Sequence, residues 1–261
     1  MIYVFLFVMG SIFGSFMNVC IYRMPREEKI GMSRSRCPHC KRKIAWYDNI
    51  PFFSFIILRA KCRHCHGPIS LRYFIVEFIG ALSLCLLWWI YGNSLMTAVF
   101  FVYIAFLIIG SFIDLEFMII PDAITIGGLV LGLVTCAVFP QIMNEYVWWK
   151  GLLKSFVGAM AGGISLFLIA EIASFIYKKE AMGMGDVKLL AMIGSFIGWK
   201  WALFTIFTSS LLGTIAGVIL IFAGKAEMKG KIPFGPYLAL GSVISLLWGK
   251  DIVNWYLKML G

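Results

Sequence analysis

The chain has 261 residues, of which 61% are hydrophobic, and it carries a formal net charge of +10. A soluble domain is nearer half apolar, and an apolar excess over the whole length is typical of a polytopic membrane protein. The composition argues against a soluble globular domain and predicts an all-α fold, because lipid leaves no partner for an open strand edge.

Hydropathy predicts about eight transmembrane helices and divides the chain into three parts. Residues 1–22 form the first helix, residues 23–72 a cytoplasmic loop domain, and residues 73–261 the remaining transmembrane domain. The first helix has no charged region before it and no cleavage-site pattern after it, so we expect a retained helix and not a signal peptide. The predicted spans are 2–22, 73–91, 95–113, 122–139, 152–177, 187–199, 201–223 and 234–256.

The distribution of charge predicts the orientation. The segment 23–72 holds twelve Lys or Arg residues and three acids, which is +9 of the chain's +10. By the positive-inside rule this side is the cytoplasm, so both termini face outward. Nucleic-acid binding is the rival explanation of the charge, and it ranks below topology and attraction to anionic lipid headgroups. Further basic residues on the same side are Lys178, Lys179, Lys188, Lys225, Lys229 and Lys231.

The long loop contains two C-x-x-C motifs, "CPHC" and "CRHC". Their spacing, Cys37-x2-Cys40-x21-Cys62-x2-Cys65, is typical of a closed structural zinc site with four thiolate ligands. Two disulfides are the alternative, which a reducing compartment disfavours. Histidines inside or beside the motifs are expected to be exposed or to support the thiolates, although one could replace a cysteine as a ligand. These are His39, His64 and His66.

Between the two motifs lies the aromatic stretch "AWYDNIPFFSFIILRAKC". We interpret it as a turn followed by an interfacial segment that packs on the bilayer. A substrate groove is the less favoured alternative.

The end of the third predicted span places a carboxylate at the cytoplasmic interface. Asp114 directly follows an apolar run, and a negative charge at a helix C-terminus is unfavourable, so it is a functional candidate. Asp122 follows a proline and is predicted to cap the fourth helix.

A second carboxylate, Asp186, stands in "GMGDVK" at the head of the sixth predicted span. An N-cap is the simple explanation, but it does not account for Gly183 and Gly185, which would let the backbone bend and let a substrate approach closely. Two carboxylates on different helices can share one proton, so that one activates water and the other protonates the leaving amide. Proton relays and transporters also use intramembrane acids, which keeps that alternative open.

Several motifs in order resemble the type IV prepilin peptidases. "GMGDVK" is similar to the G-x-G-D motif of membrane aspartic peptidases, and "IDLEFMIIPD" resembles the partner motif. "GSFMNVCIYRMP" resembles the family's opening motif, and the cysteine motifs with "WYDNIP" and "PISLRYFIVE" resemble its cytoplasmic loop. The resemblance covers nearly the whole chain.

The resemblance implies a bifunctional enzyme of the bacterial inner membrane, with its active site on the cytoplasmic side. It would cleave the leader of prepilins or pseudopilins after a glycine and then methylate the new N-terminus with S-adenosylmethionine. The motifs assign the peptidase role to Asp114 and Asp186. Glu77 is a candidate for acting on an amine during methyl transfer, and a structural role in which it pairs with Arg72 or Arg23 ranks at least as high. A peptidase that does not methylate, and a transporter, are the rival functions.

Overall fold

A computed structural model describes residues 1–31, 36–37, 39–178, 182–224 and 233–260. The described residues are predominantly helical and contain isolated β-bridges but no strand. The fold divides into two compact units, Met1–Ile109 and Gly110–Gly261. The three parts predicted from the sequence were defined by the expected membrane topology. The two compact units are defined by packing instead, and the boundary between them lies inside the helix Leu95–Phe117.

The first unit contains a pair of closely packed antiparallel helices, α1 (Ile2–Arg23) and α3 (Leu71–Tyr91). Between them lies the cysteine-containing loop, which includes the short helix α2 (Phe53–Ile57). A methyl group added at Gly14 would lie 2.6 Å from the Glu77 Cα, so the two backbones approach too closely for any side chain there. Small residues at such contacts allow membrane helices to pack without a hydrophobic driving force.

Helix α4 (Leu95–Phe117) begins in the first unit and ends in the second. The remaining helices of the second unit are α5 (Asp122–Val138), α6 (Trp148–Tyr177), α7 (Met184–Ile197), α8 (Trp199–Phe222) and α9 (Gly235–Leu260).

Helix α7 is the centre of the second unit, where it packs against α5, α6, α8 and α9. Most of its 14 residues are buried. The backbone carbonyl of Gly194 would lie 2.2 Å from a methyl group added at Gly158 on α6, so these two helices also meet through glycines. The core therefore surrounds the helix that begins with "GMGD".

Each of the eight predicted spans falls on a helix, and five of the described helices are long and apolar enough to cross a membrane. They are α1, α3, α4, α6 and α8. Helix α5 has 17 residues and helix α7 has 14. At 1.5 Å per residue α7 is about 21 Å long, which is shorter than a hydrocarbon core of about 30 Å. Helix α9 is longer but contains Lys250 and Asp251. The polytopic helical fold is confirmed, and crossing by these three helices stays a prediction.

Several of the basic residues that predict the orientation fall outside the described residues. They are Arg34, Lys179, Lys225, Lys229 and Lys231.

Candidate active site and metal centre

Asp114 lies in the last turn of α4 and is only 6% exposed. Its Oδ2 accepts a hydrogen bond of 3.0 Å from the backbone N–H of Gly235, the first residue of α9. The first N–H groups of a helix have no partner within that helix, and the N-terminus carries partial positive charge. A negative charge on Asp114 is unfavourable at the C-terminus of α4, and the positive N-terminus of α9 offsets this cost.

Asp186 is the third residue of α7, and it is 9% exposed. Within the described part of the chain its Oδ1 has no hydrogen-bond partner. The N-cap of α7 is Gly183, so Asp186 is the third helical residue and not the N-cap. A carboxylate in the first turn of a helix is favoured by the macrodipole, yet one of its oxygens is left for another group.

The glycines around Asp186 lie at the start of a helix. Gly183 has φ −76° and Gly185 lies inside α7, so neither adopts the left-handed conformation, and close approach of a substrate stays a prediction. A methyl group added at Gly185 would lie 3.3 Å from the Ile120 Cβ. Since α7 is helical from Met184 onward, Gly185 is not needed for an unusual backbone conformation. Its lack of a side chain instead permits close packing against Ile120.

The two carboxylates lie in the same region of the second unit. Asp186 is close enough to Asp114 for their negative charges to repel each other. Ile120 lies between the helix starts that surround them, since its side chain meets both the Gly185 and the Gly235 positions. Two buried carboxylates that cannot both be charged at low cost can share a proton, which is the arrangement an acid–base pair requires.

Asp122 is a correction to the sequence-based interpretation. The N-cap of α5 is Pro121, whose extended backbone (φ −61°, ψ 140°) precedes the helix, and no side chain caps this end. Asp122 is instead the first helical residue, and its Oδ1 forms an ion pair of 2.7 Å with Lys188 Nζ. The pair is exposed, so it tethers the starts of α5 and α7 near the surface with a small contribution to stability.

The predicted metal ligands come together in the first unit. Four sulfur atoms, those of Cys37, Cys40, Cys62 and Cys65, all lie within 4.8 Å of one another. The sulfurs of Cys37 and Cys65 are 3.8 Å apart, too far for a disulfide. Ligands about 2.3 Å from a tetrahedral zinc ion lie about 3.8 Å from each other, so the arrangement fits this metal. Among the described residues the cluster includes no histidine.

Both cysteine motifs fold by the same local pattern. In each, the first cysteine donates its N–H to a carbonyl five residues on, and its own carbonyl accepts an N–H from four residues on. The backbone N–H groups of Cys65 and His64 lower the pKa of the Cys62 thiol to about 6. Burial and hydrogen bonds with the other cysteines raise the pKa of Cys65 to about 11, so these thiols titrate together and not independently.

An ion pair connects the second motif to the aromatic stretch. Arg63, between Cys62 and Cys65, donates from Nη2 to Asp48 Oδ1 at 2.6 Å and from Nε to Asp48 Oδ2 at 2.9 Å. The hydrogen bonds from Arg63 lower the pKa of Asp48. The two-pronged geometry favours one orientation of this segment relative to the second cysteine motif.

Glu77 is buried in α3 at 8% exposure. Its Oε2 accepts a hydrogen bond of 3.1 Å from the backbone N–H of Phe52, and the Ser15 side chain also interacts with it. Within the described residues Glu77 pairs with neither Arg72 nor Arg23. No local sequence pattern indicates the contact with Phe52, which is 25 residues away.

These features define a class of protein. A helical fold with membrane-spanning helices and a buried aspartate pair fits a membrane-embedded aspartic peptidase, and the same chain carries four cysteines arranged like the ligands of a metal ion.

Comparison with known proteins identifies the family. A model of the bacterial peptidase A24 N-terminal domain matches residues 8–91, and a model of the type IV leader peptidase family matches residues 101–218. A prepilin leader peptidase/N-methyltransferase of Stutzerimonas stutzeri is 35% identical, over 96% of this chain and 92% of that protein. A protein of the same name from Pseudomonas aeruginosa is 34% identical, over 97% and 93%. The chain belongs to the type IV leader peptidase family. No solved structure gives a significant match.

Proposed function

We propose that this protein cleaves the leader peptide of type IV prepilins or pseudopilins after a glycine and then methylates the new N-terminal amine. The observation that carries the proposal is the neighbouring pair of buried carboxylates, Asp114 and Asp186, in a chain of this family. The relatives named above are both called prepilin leader peptidase/N-methyltransferase. This chain matches each of them over nearly its whole length.

Cleavage uses the two carboxylates as base and acid. The ionised carboxylate takes a proton from a water molecule, whose oxygen attacks the carbonyl carbon of the scissile bond. The protonated carboxylate gives its proton to the amide nitrogen as the C–N bond breaks. The hydrogen bond from Gly235 to Asp114 Oδ2 holds one partner in place, and Asp186 Oδ1 remains free of protein donors within the described residues.

Methylation needs S-adenosylmethionine, which supplies an electrophilic methyl group to the free amine. The described residues form no doubly wound nucleotide-binding fold, so we infer that the donor binds at the cysteine loop and nearby helix ends. Glu77 was the candidate from the sequence for acting on the amine. In the structure Glu77 accepts a hydrogen bond from the Phe52 backbone N–H.

The metal in the cysteine cluster is proposed to be a structural zinc ion. Four thiolates would hold it in a closed set, leaving no ligand position for a substrate. Its chemistry would then be to crosslink the loop, and no catalytic step passes through it.

The proposed location is the bacterial inner membrane, in contact with its lipids and without a nucleic-acid partner. Both termini would face outward, with the cysteine loop and the aspartate pair on the cytoplasmic side. The positive loop 23–72, with +9 of the net charge, supports this orientation.

The test is incubation of the purified protein with a prepilin, with and without S-adenosylmethionine, followed by weighing of the product. We expect loss of the leader in both cases and one added CH2 group only with the methyl donor. An unmethylated product in both cases would indicate a peptidase alone. An intact substrate, together with ion flux in liposomes, would indicate the transporter.

A glycine substitution tests whether Asp114 needs its present position. A methyl group at Gly235 would lie 2.8 Å from Asp114 Oδ2 and would displace this carboxylate. We expect Gly235→Ala to keep the fold and lower the cleavage rate roughly tenfold to a hundredfold, because small displacements of a catalytic group are costly. Gly127→Ala on α5, where a methyl group meets nothing within 4 Å, is the matched control. Equal rates for both variants would contradict this.

A further inference from the structure

The segment 50–57 of the cysteine loop, here called the wedge, enters the face formed by α1 and α3. The Phe52 ring stacks on Phe7 of α1 at 5.4 Å between centroids. It also meets Phe74 and Phe78 of α3 edge to face, at 5.3 and 6.4 Å. Phe78 lies seven residues into α3, about 10 Å along the helix, so the wedge lies beside a predicted membrane span.

Phe52 has an unusual backbone. Its φ of 61° and ψ of −53° place it at the centre of a γ-turn, closed by a hydrogen bond of 2.7 Å from Phe53 N–H to the Pro51 carbonyl. A positive φ is strained for a bulky residue and persists only where its surroundings enforce it. The aromatic contacts hold the ring, and a separate contact must hold the backbone.

That contact is the hydrogen bond from Phe52 N–H to Glu77 Oε2. The N–H groups of Ser54 and Ile56 bond within the wedge, to the carbonyls of Ile50 and Phe52. The Phe52 N–H instead points to α3. A backbone N–H without an acceptor is costly away from water, and Glu77 supplies the acceptor for the Phe52 N–H beside this predicted span.

The wedge is also joined to the metal-binding cluster. Asp48, two residues before the wedge, is held by Arg63 of the second cysteine motif. The opposite side of the wedge is apolar and open, since Phe53, Ile56 and Ile57 are 65–71% exposed. The wedge therefore has a protein face at Phe52, an exposed apolar face, and a connection to the second cysteine motif through the ion pair of Asp48 with Arg63.

We propose that Glu77 is a positioning residue that latches the wedge to α1 and α3 and thereby fixes the cysteine loop for methyl transfer. The methyl-transfer part rests on the proposed function, whereas the latch itself does not. Glu77 acts through the Phe52 backbone and does not contact the methyl donor.

Two substitutions of Glu77 separate positioning from a role of its charge. Glu77→Gln keeps a carbonyl oxygen that can accept the Phe52 N–H, whereas Glu77→Ala removes the acceptor. In the full-length zinc-loaded protein we expect Glu77→Ala to raise hydrogen exchange of a peptide covering 50–57 by on the order of tenfold or more. Methyl transfer to a pilin-like peptide with a free N-terminus should fall in parallel. Glu77→Gln should restore both to within a few-fold.

Neighbouring phenylalanines provide a matched control. Phe52→Ala removes the inserted ring and should increase exchange as Glu77→Ala does, whereas Phe53→Ala removes a ring that is 66% exposed and should leave exchange near the wild-type value. Bound zinc should be unchanged in all four variants, which excludes general unfolding of the loop.

Two results would overturn the proposal. Unchanged exchange in Glu77→Ala would show that no latch exists. Normal exchange but lost methyl transfer in Glu77→Gln would show that the charge itself acts on the substrate or donor. If the wild-type protein transfers no methyl group, the proposed function fails, while the exchange measurements still decide whether Glu77 latches the wedge.

Discussion

Replacing either Asp114 or Asp186 by asparagine is expected to abolish leader cleavage while leaving the protein folded. Asparagine has nearly the same shape, and its carbonyl oxygen can still accept the Gly235 N–H. It cannot ionise or share a proton, so the acid–base pair is lost with either partner. We expect a loss of at least about a thousandfold in the rate of leader release, measured on a prepilin in detergent or proteoliposomes.

The pair should behave as one unit in the double variant. Asp114→Asn combined with Asp186→Asn should be no slower than either single variant, because removing the second partner of a broken pair costs little more. Methyl transfer to an already cleaved substrate should persist, which shows that the protein is folded. Asp122→Asn is the matched control, since this nearby aspartate is exposed and pairs with Lys188. Substantial cleavage by either single variant would remove that residue from the pair.

The positions of the helices could be predicted well because lipid imposes a simple rule on them. Runs of apolar residues mark α1 and α3 to within two residues at each end. The start of α6 at Trp148 was placed four residues late, since hydropathy marks the apolar centre of a helix and not its end. Helix α7 is apolar and mostly buried within the protein. Composition alone does not distinguish an apolar helix buried in protein from one that contacts lipid.

The residues of the candidate site could be selected from the sequence, but their contacts could not. Asp114 stood out because an acid at that helix end lacked a local explanation. Its partner Gly235 lies 121 residues away, and no short pattern connects the two. The same holds for Glu77 with Phe52 and for Asp122 with Lys188. The cysteine cluster was predictable because metal ligands have a characteristic local spacing.

Apart from the wedge, whose Phe52 ring packs on α1 and α3, the cysteine loop has almost no core besides its cysteines. Among residues 24–70 whose burial the structure describes, Cys37 is the only buried one. A segment with so little buried apolar surface does not offset the entropy of ordering its chain by itself, and we propose that metal binding supplies the missing free energy. The loop should therefore lose its structure when the metal site is broken.

We expect Cys37→Ser to lose its bound zinc and to reduce methyl transfer at least as strongly as cleavage. A serine hydroxyl is a poor zinc ligand, and the three remaining thiolates would leave the tetrahedral set open. Metal analysis of the purified protein, with both activities measured on separate substrates, provides the test. Chelation of zinc from the wild-type protein should reproduce the effect of the substitution.

Cys85→Ser is the matched control, because Cys85 lies in α3 outside the cluster. The Cys85→Ser variant should keep its bound zinc and both activities. The asymmetry between the two activities follows from the fold, since the cysteines belong to the first compact unit and both aspartates to the second. In the proposed mechanism, cleavage uses helix ends that belong to the second unit, where the Gly235 N–H donates to Asp114. A wild-type protein without zinc, or a Cys37→Ser variant that loses zinc but methylates normally, would show that the loop is not held by the metal for this reaction.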